Sequence, residues 1–291
     1  MINNKSIAVL ITCHNRREKT LASLKALYKA MLPEGCHFEV FLVDDGSTDG
    51  TSQAVKKQFP QVNVIQGTGN LFWAGGMNLA WKEALKKNYD GYLLLNDDTN
   101  IFSSALIELI NVHKYAFSKF KQGGIYVGST KDPVSKSFTY GGHKLINNFS
   151  GRSKSVIPSG AIQRCNFANA NILFVSRNVV DTIGILDDRF THSIADYDYT
   201  LRASKKGIPI LVCPSYLGFC ENDHGNNWLS DNSTLKKRIK YLKSPKQLAY
   251  KEYMFYIKRH FPFYFPIAFI KLWLKTLFPS IWDKYKVKND M

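Results

Sequence analysis

Three strand-sized apolar runs in the first hundred residues each end on polar side chains. Residues 6–12 lead into Cys13-His14-Asn15-Arg16, residues 38–43 into Asp44-Asp45-Gly46-Ser47-Thr48-Asp49, and residues 92–95 into Asn96-Asp97-Asp98-Thr99. Runs this short, with little polar interruption, read as strands buried on both faces. Between the first two, Leu21, Leu24, Leu27 and Tyr28 form one helical stripe, ended at Pro33-Glu34-Gly35. A second helix is expected over 51–59, a short third strand over 62–65, and a helix running through Ala84 and Leu85 before the fourth strand. Such alternation with short connections gives a doubly wound α/β sheet. In such a sheet the carboxyl ends of the strands gather at one edge, where ligands bind.

That edge collects carboxylates. Asp97 and Asp98 repel one another unless a cation or a donor lies between them. Oxygen-only ligands of this kind suit Mg²⁺ or Mn²⁺ carrying a phosphate. An isolated Asp-Asp pair is more often a turn start followed by a helix cap. Here a second acidic strand end, Asp44-Asp45, stands beside it. A glycine-rich stretch, Gly67-Thr68-Gly69-Asn70 and then Trp73-Ala74-Gly75-Gly76-Met77-Asn78, feeds the next helix. Backbone amides there suit a phosphate or a closely approaching sugar. The combination indicates a nucleotide with a metal.

The strand exits resemble those of the family 2 glycosyltransferases, which have the GT-A fold. The likeness is carried by Ile11-Thr12-Cys13-His14-Asn15-Arg16, by Val43-Asp44-Asp45-Gly46-Ser47-Thr48-Asp49-Gly50-Thr51 and by Leu95-Asn96-Asp97-Asp98-Thr99. Residues 69–78 look like the glycine-rich segment of rhamnosyl- and galactofuranosyltransferase-like members, and the resemblance runs over about residues 6–225. It implies a UDP- or dTDP-sugar donor, with Thr12, His14 and Asp45 near the base and ribose. Asn15, Arg16, Trp73, Gly75, Gly76 and Asn78 would complete the donor site. Asp98 would be the direct metal ligand, and Asp97 would reach the ribose or sugar.

Farther on, His192-Ser193-Ile194-Ala195-Asp196-Tyr197-Asp198-Tyr199-Thr200-Leu201-Arg202 opens a helix at about Asp196, ended by Gly207. Carboxylates in a first helical turn favour the macrodipole, so capping alone accounts for them. The segment also resembles the family's Glu-Asp motif followed by Asp-x-x-x-Arg, with Ala195 in place of the Glu. The resemblance leaves Asp196 as general base and Asp198 as its structural neighbour, pairing with Arg202. After a strand from Ile208 comes Cys220-Glu221-Asn222-Asp223-His224, where the resemblance implies His224 as a further metal ligand, with Asp223 as the alternative. A loop His is ordinarily just solvated.

Charge divides the chain. Of a net +16, residues 235–291 carry +11. They interleave Lys and Arg with Trp, Phe and Tyr, and Lys271 and Lys275 lie one turn apart among Phe269, Ile270, Trp273, Leu274 and Leu277. This is the composition of a helix lying in a membrane interface. The competing reading packs these helices on the catalytic part or on a second copy, as a homodimer. No nucleic-acid module is recognisable. Five scattered cysteines without CxxC spacing, and no leading secretory pattern, suggest a reducing cytoplasm.

The expectation is a GT-A domain of doubly wound mixed sheet over 1–230 and a helical, membrane-interfacial segment over 231–291. The function expected is inverting, metal-dependent sugar transfer to a hydroxyl of a glycan or lipid-linked saccharide, in cell-surface polysaccharide synthesis at the inner face of the cytoplasmic membrane. A sugar-phosphate nucleotidyltransferase, or a non-catalytic binder of sugar nucleotides or polyanions, would use the same acidic edge.

Overall fold

The computed structural model describes residues 5–222 and 234–280. Three parallel pairings build the first half of the sheet. β1 (Lys5–Cys13) lies between β2 (Cys36–Asp44) and β4 (Gly91–Leu95), and β3 (Asn63–Gln66) flanks β2. The register sets Cys13 beside Asp44 and Leu10 beside Leu94, so the polar exits fall at one edge. Burial of every residue from Ile7 to Cys13 fits a strand covered on both faces.

Helices α1 (Arg17–Lys29), α2 (Thr51–Gln58) and α4 (Ala105–Phe120) cover one face, where Leu24, Leu27 and Leu109 are buried. On the other face α3 (Phe72–Ala84) places Met77 and Trp81 against Leu10 and Tyr92. The glycine pair expected as a loop lies inside this helix. A Cβ on Gly76 would overlap Thr12 Oγ1, so the missing side chain is what lets α3 approach β1 so closely.

The second half makes the sheet mixed. Strands β5 (Asn100–Ile101), β6 (Ile125–Lys131), β11 (Ile172–Ser176) and β12 (Ile210–Phe219) complete the order β3-β2-β1-β4-β11-β6-β12-β5, with β9 (Gln163–Arg164) also on β12. β11 runs antiparallel to both neighbours, β4 and β6. A smaller antiparallel sheet joins β7 (Gly142–Asn147) to β8 (Arg152–Val156) and β10 (Phe167–Ala168). The expected strand around Phe138 reduces to a single bridge to Lys131. Helices α5 (Arg177–Ile183) and α6 (Ala195–Lys205) follow β11, and α6 starts within one residue of its expected position.

The segment read as an appendage is built into the body. Helices α7 (Leu235–Lys243), α8 (Tyr250–His260) and α9 (Phe265–Leu277) pack on one another around Leu242, Met254 and Leu272. Tyr256, Ile257, Phe261 and Ala268 enter the same core as Met77 and Tyr199. Each large apolar side chain buried this way contributes about 1.5–3 kcal/mol before entropy. Ions reinforce the join, since Arg259 bonds Asp198 at 2.8 Å and Asp187 at 2.6 Å. The packing reading therefore holds for α8. In contrast α9 keeps an apolar outer face, with Ile267, Phe269, Ile270, Leu274 and Leu277 between 39% and 55% exposed. No described helix is long and apolar enough to cross a membrane.

Candidate active site

A cleft of about 730 Å³ opens at the carboxyl edge of the sheet. Its walls bring together Thr12, His14, Arg16, Asp45, Trp73, Asp97, Asp98 and Asp196 from the sequence-derived set. Residues separated by up to 184 positions thus meet because parallel strands deliver their exits to one side, and α6 arrives from the antiparallel half.

The acidic pair already holds a cation. Arg16 donates to Asp98 Oδ2 at 2.6 Å and lies 3.5 Å from Asp97 Oδ1. Burial, with the neighbouring Asp98 charge, pushes the Asp97 carboxyl up to about 7, against the pull of Arg16. Two crowded carboxylates sharing a guanidinium are the right chemistry for a divalent ion. Among the described residues no group of three or more His, Cys, Asp or Glu gathers to hold a metal. A Mg²⁺ or Mn²⁺ ion on this pair would take its remaining ligands from phosphate and water, as Mg²⁺ commonly does. His224, expected as a further ligand, and its alternative Asp223 lie outside the described residues.

Asp45 lies in the cleft, but its carboxylate is turned inward. It accepts from the amides of Gly69 at 2.7 Å, Leu71 at 2.8 Å and Phe72 at 3.0 Å. The amides expected to cradle a phosphate are thus held by the motif's own acid. This is possible because Gly46, at φ +74°, turns the chain so tightly that a Cβ there would lie 2.9 Å from Gly69 Cα. His14 is fixed by a 2.6 Å contact from Nδ1 to the Asp45 carbonyl oxygen. Since a carbonyl only accepts, Nδ1 carries the proton and Nε2 is the acceptor.

Four members of the expected donor set stand outside the cleft wall. Asn15, at φ +52°, accepts the Thr48 amide at 2.7 Å and so ties the first two strand exits together. Gly75 packs toward Leu71 and Gly76 against Thr12, both from within α3. Asn78 is buried and donates to Asp188 at 2.8 Å. These four shape the wall from behind. Trp73 does face the cleft, its indole N–H donating to Asn96 Oδ1 at 2.9 Å.

On the opposite wall Asp196 opens α6. Its Oδ1 accepts its neighbour Tyr197's amide at 2.8 Å and its Oδ2 the Ala170 amide at 3.2 Å. Burial raises the carboxyl to about 6, and those amides limit the rise. Its neighbour Asp198 points the other way and is fully buried. It accepts from Arg202 at 3.0 Å, Arg259 at 2.8 Å and the His260 Nε2–H at 2.8 Å. Burial alone would raise the Asp198 carboxyl, yet the His260 hydrogen bond and the two guanidinia hold it below the usual range.

Sequence reasoning missed several wall residues. Asn169 and Tyr197 join through a 3.2 Å hydrogen bond, and His143 touches Asn169 at 3.0 Å. The Asn-rich run before β11 was the available signal. His192 caps the amide of Trp73 at 3.4 Å. Tyr241, Lys246 and Gln247 reach the cleft from the C-terminal segment, and nothing in the local pattern pointed to them.

The family model for glycosyl transferase family 2 matches residues 8–163. A curated relative, the low-salt glycan biosynthesis hexosyltransferase Agl10 of Haloferax volcanii, is 24% identical over 182 residues. The match covers 60% of this chain and 56% of that protein, so the chain spans little more than half its relative's length. Among solved structures, the mannosyltransferase PcManGT from Pyrobaculum calidifontis in complex with GDP-Man and Mn²⁺ superposes with a TM-score of 0.55 and 14% identity. That likeness covers 93% of this chain and 72% of the other. S. aureus TarS 1-349 in complex with UDP-GlcNAc gives a TM-score of 0.54 and 16% identity, over 89% and 73% of the two chains. At such identities the likeness is one of fold, and the fold is GT-A.

Proposed function

This chain belongs to glycosyl transferase family 2, and on that premise we propose that it moves a sugar from a nucleoside-diphosphate donor to a hydroxyl acceptor with inversion. The observation that carries the reading is that the Asp97–Asp98 pair and the Asp196 carboxylate line one cleft. UDP- or dTDP-sugar is the donor class, in line with the UDP-GlcNAc bound by TarS and the hexosyl transfer in the name of Agl10. Asp97 and Asp98 would hold Mg²⁺ or Mn²⁺, which when bound supplies positive charge to the departing diphosphate.

The chain's own residues do the rest. Asp196, with its proton affinity raised to about 6, is ionised at neutral pH yet basic enough to accept a proton. The amides of Ala170 and Tyr197 fix both of its oxygens, which orients the carboxylate before the acceptor arrives. The acceptor hydroxyl gives its proton to Asp196 as its oxygen bonds to the anomeric carbon. The bond from that carbon to the diphosphate breaks on the opposite side, releasing the nucleoside diphosphate. One displacement of this kind inverts configuration.

Incubation with a panel of sugar nucleotides tests the reading. The expected result is release of nucleoside diphosphate that depends on acceptor and stops on chelation. Release of pyrophosphate from a nucleoside triphosphate would instead identify a nucleotidyltransferase.

A lipid-linked glycan acceptor in polysaccharide synthesis, met at the inner membrane face, fits the outer face of α9. There exposed Ile270 and Leu274 flank Lys271, which suits an interface of apolar chains and anionic head groups. Because α8 belongs to the main core, point substitutions are the proper test. Vesicles containing anionic lipid should capture the full chain and fail to capture Ile270→Glu/Leu274→Glu. Equal capture of both would dismiss α9 as the anchor.

A further inference from the structure

The turn between α7 and α8 is held firmly at the mouth of the cleft. Within it Gln247 N–H and Ala249 N–H both donate to the Ser244 carbonyl, at 3.0 and 3.1 Å. One turn into α8, Glu252 accepts from the Thr191 amide at 3.0 Å and from its hydroxyl at 2.6 Å. Thr191 adjoins His192, whose ring lies 6.3 Å from that of Phe72 and whose Nδ1 accepts the Trp73 amide. The C-terminal segment is therefore fastened to the wall where α3 begins.

Lys246 projects from this turn into the cleft, its Nζ 6.0 Å from the centroid of the Phe72 ring. Other lysines near the sheet edge have acidic partners, Lys19 with Glu221 and Lys82 with Asp188. Lys246 has no carboxylate partner among the described residues. Lys246, Arg16 and His192 all line the cleft. Arg16 is matched by Asp98, whereas Lys246 meets no carboxylate among the described residues. An ammonium that lines the same cleft as an acidic pair suited to a divalent cation fits a diphosphate, whose charge both would meet.

We propose that Lys246 binds the diphosphate of the donor, so that the C-terminal segment supplies part of the donor site as well as packing behind it. This rests on the donor reading above. Lys246 is a point charge with three donors on a flexible stem, suited to following the phosphate as the sugar departs.

The test uses the full chain with Mg²⁺ present and measures calorimetric affinity for UDP, dTDP, uridine and thymidine. Lys246→Gln should weaken the preferred nucleoside diphosphate roughly tenfold, as expected for a lost charge-assisted hydrogen bond. The loss should shrink at high salt. Affinity for the matching nucleoside and the melting temperature should not change, and Lys246→Arg should recover most of the binding. Unchanged diphosphate affinity in Lys246→Gln would overturn the assignment. That includes the case in which only the KM for a diphosphate-linked lipid acceptor rises, which would place the lysine on the acceptor. Should the wild-type chain bind neither diphosphate, the donor reading itself would fall and this assignment with it.

Discussion

The cleft is bordered by two acidic groupings that meet their counter-charges in opposite ways. Asp97 and Asp98 share Arg16, whose side chain is 41% exposed and reaches in from a strand exit. Asp198 is sealed beneath α8, where Arg202, Arg259 and His260 close around it. A surface ion pair is worth about 0–1 kcal/mol, so Arg16 is a cation that can be exchanged. Breaking a buried pair strands the remaining charges, so the partners of Asp198 are fixed for the life of the fold. Asp196 sits between the two regimes, with amides and no cation. The proposed base needs some freedom and a rigid support, and α6 places Asp196 two positions from the fixed Asp198.

That contrast can be broken most severely at Asp196. Asp196→Asn should lower turnover by roughly a hundred- to ten-thousand-fold while donor affinity stays within about twofold, read by initial rates and calorimetry. Turnover near wild type would assign the base elsewhere. In the wild-type chain kcat/KM should fall tenfold per pH unit below about 6, because Asp196 must be ionised to accept the proton.

The buried grouping should respond in stability. Asp198→Asn leaves Arg202 and Arg259 without their anion, and a loss of about 3 kcal/mol is expected, the low end for a broken buried pair. The low end applies because both guanidinia keep about a fifth of their surface in water (22% and 21%). Thermal unfolding should shift down by roughly 6–12 °C. The sign of the acid response follows from the depressed Asp198 pKa. Its contribution is complete above the ordinary carboxylate range and is lost as pH falls through the lower, folded value. A melting temperature unchanged by the substitution would contradict the fixed character of this group.

The mildest change is Arg16→Gln, which should move stability by less than about 1 kcal/mol. Without nucleotide, Mn²⁺ should bind the variant several-fold more tightly, as followed by the spin-resonance signal of the free ion. Weaker binding would show that Arg16 orders the pair instead of competing for it.

The strand exits were legible because each depends on a run of four to seven residues and a polar terminus, all local. The same locality explains the misreadings. Gly75-Gly76 looks like a loop, and only the proximity of Thr12, some sixty positions earlier, makes it a helical contact. Asp45 was placed correctly at a strand end, but the direction of its carboxylate is set by amides more than twenty residues later. The C-terminal segment was the least legible. Aromatic and basic residues at helical spacing suit lipid or protein equally, and the choice for α8 depends on Asp187 and Asp198 about sixty to seventy positions upstream. Lys246 carries no local signature at all.

The fastening of Glu252 to Thr191 and of His260 to Asp198 also bears on the order in which the molecule is made. Chains begin folding from the amino end during synthesis. Here β1 to β4 come early, but Asp198, on the helix bearing Asp196, gains Arg259 and His260 only after residue 260 has been added. A chain ended before residue 259 would carry every acidic motif and still lack two of the three partners of Asp198. The anchoring of α6 by α8 is thereby completed only after every strand of the main sheet has been made.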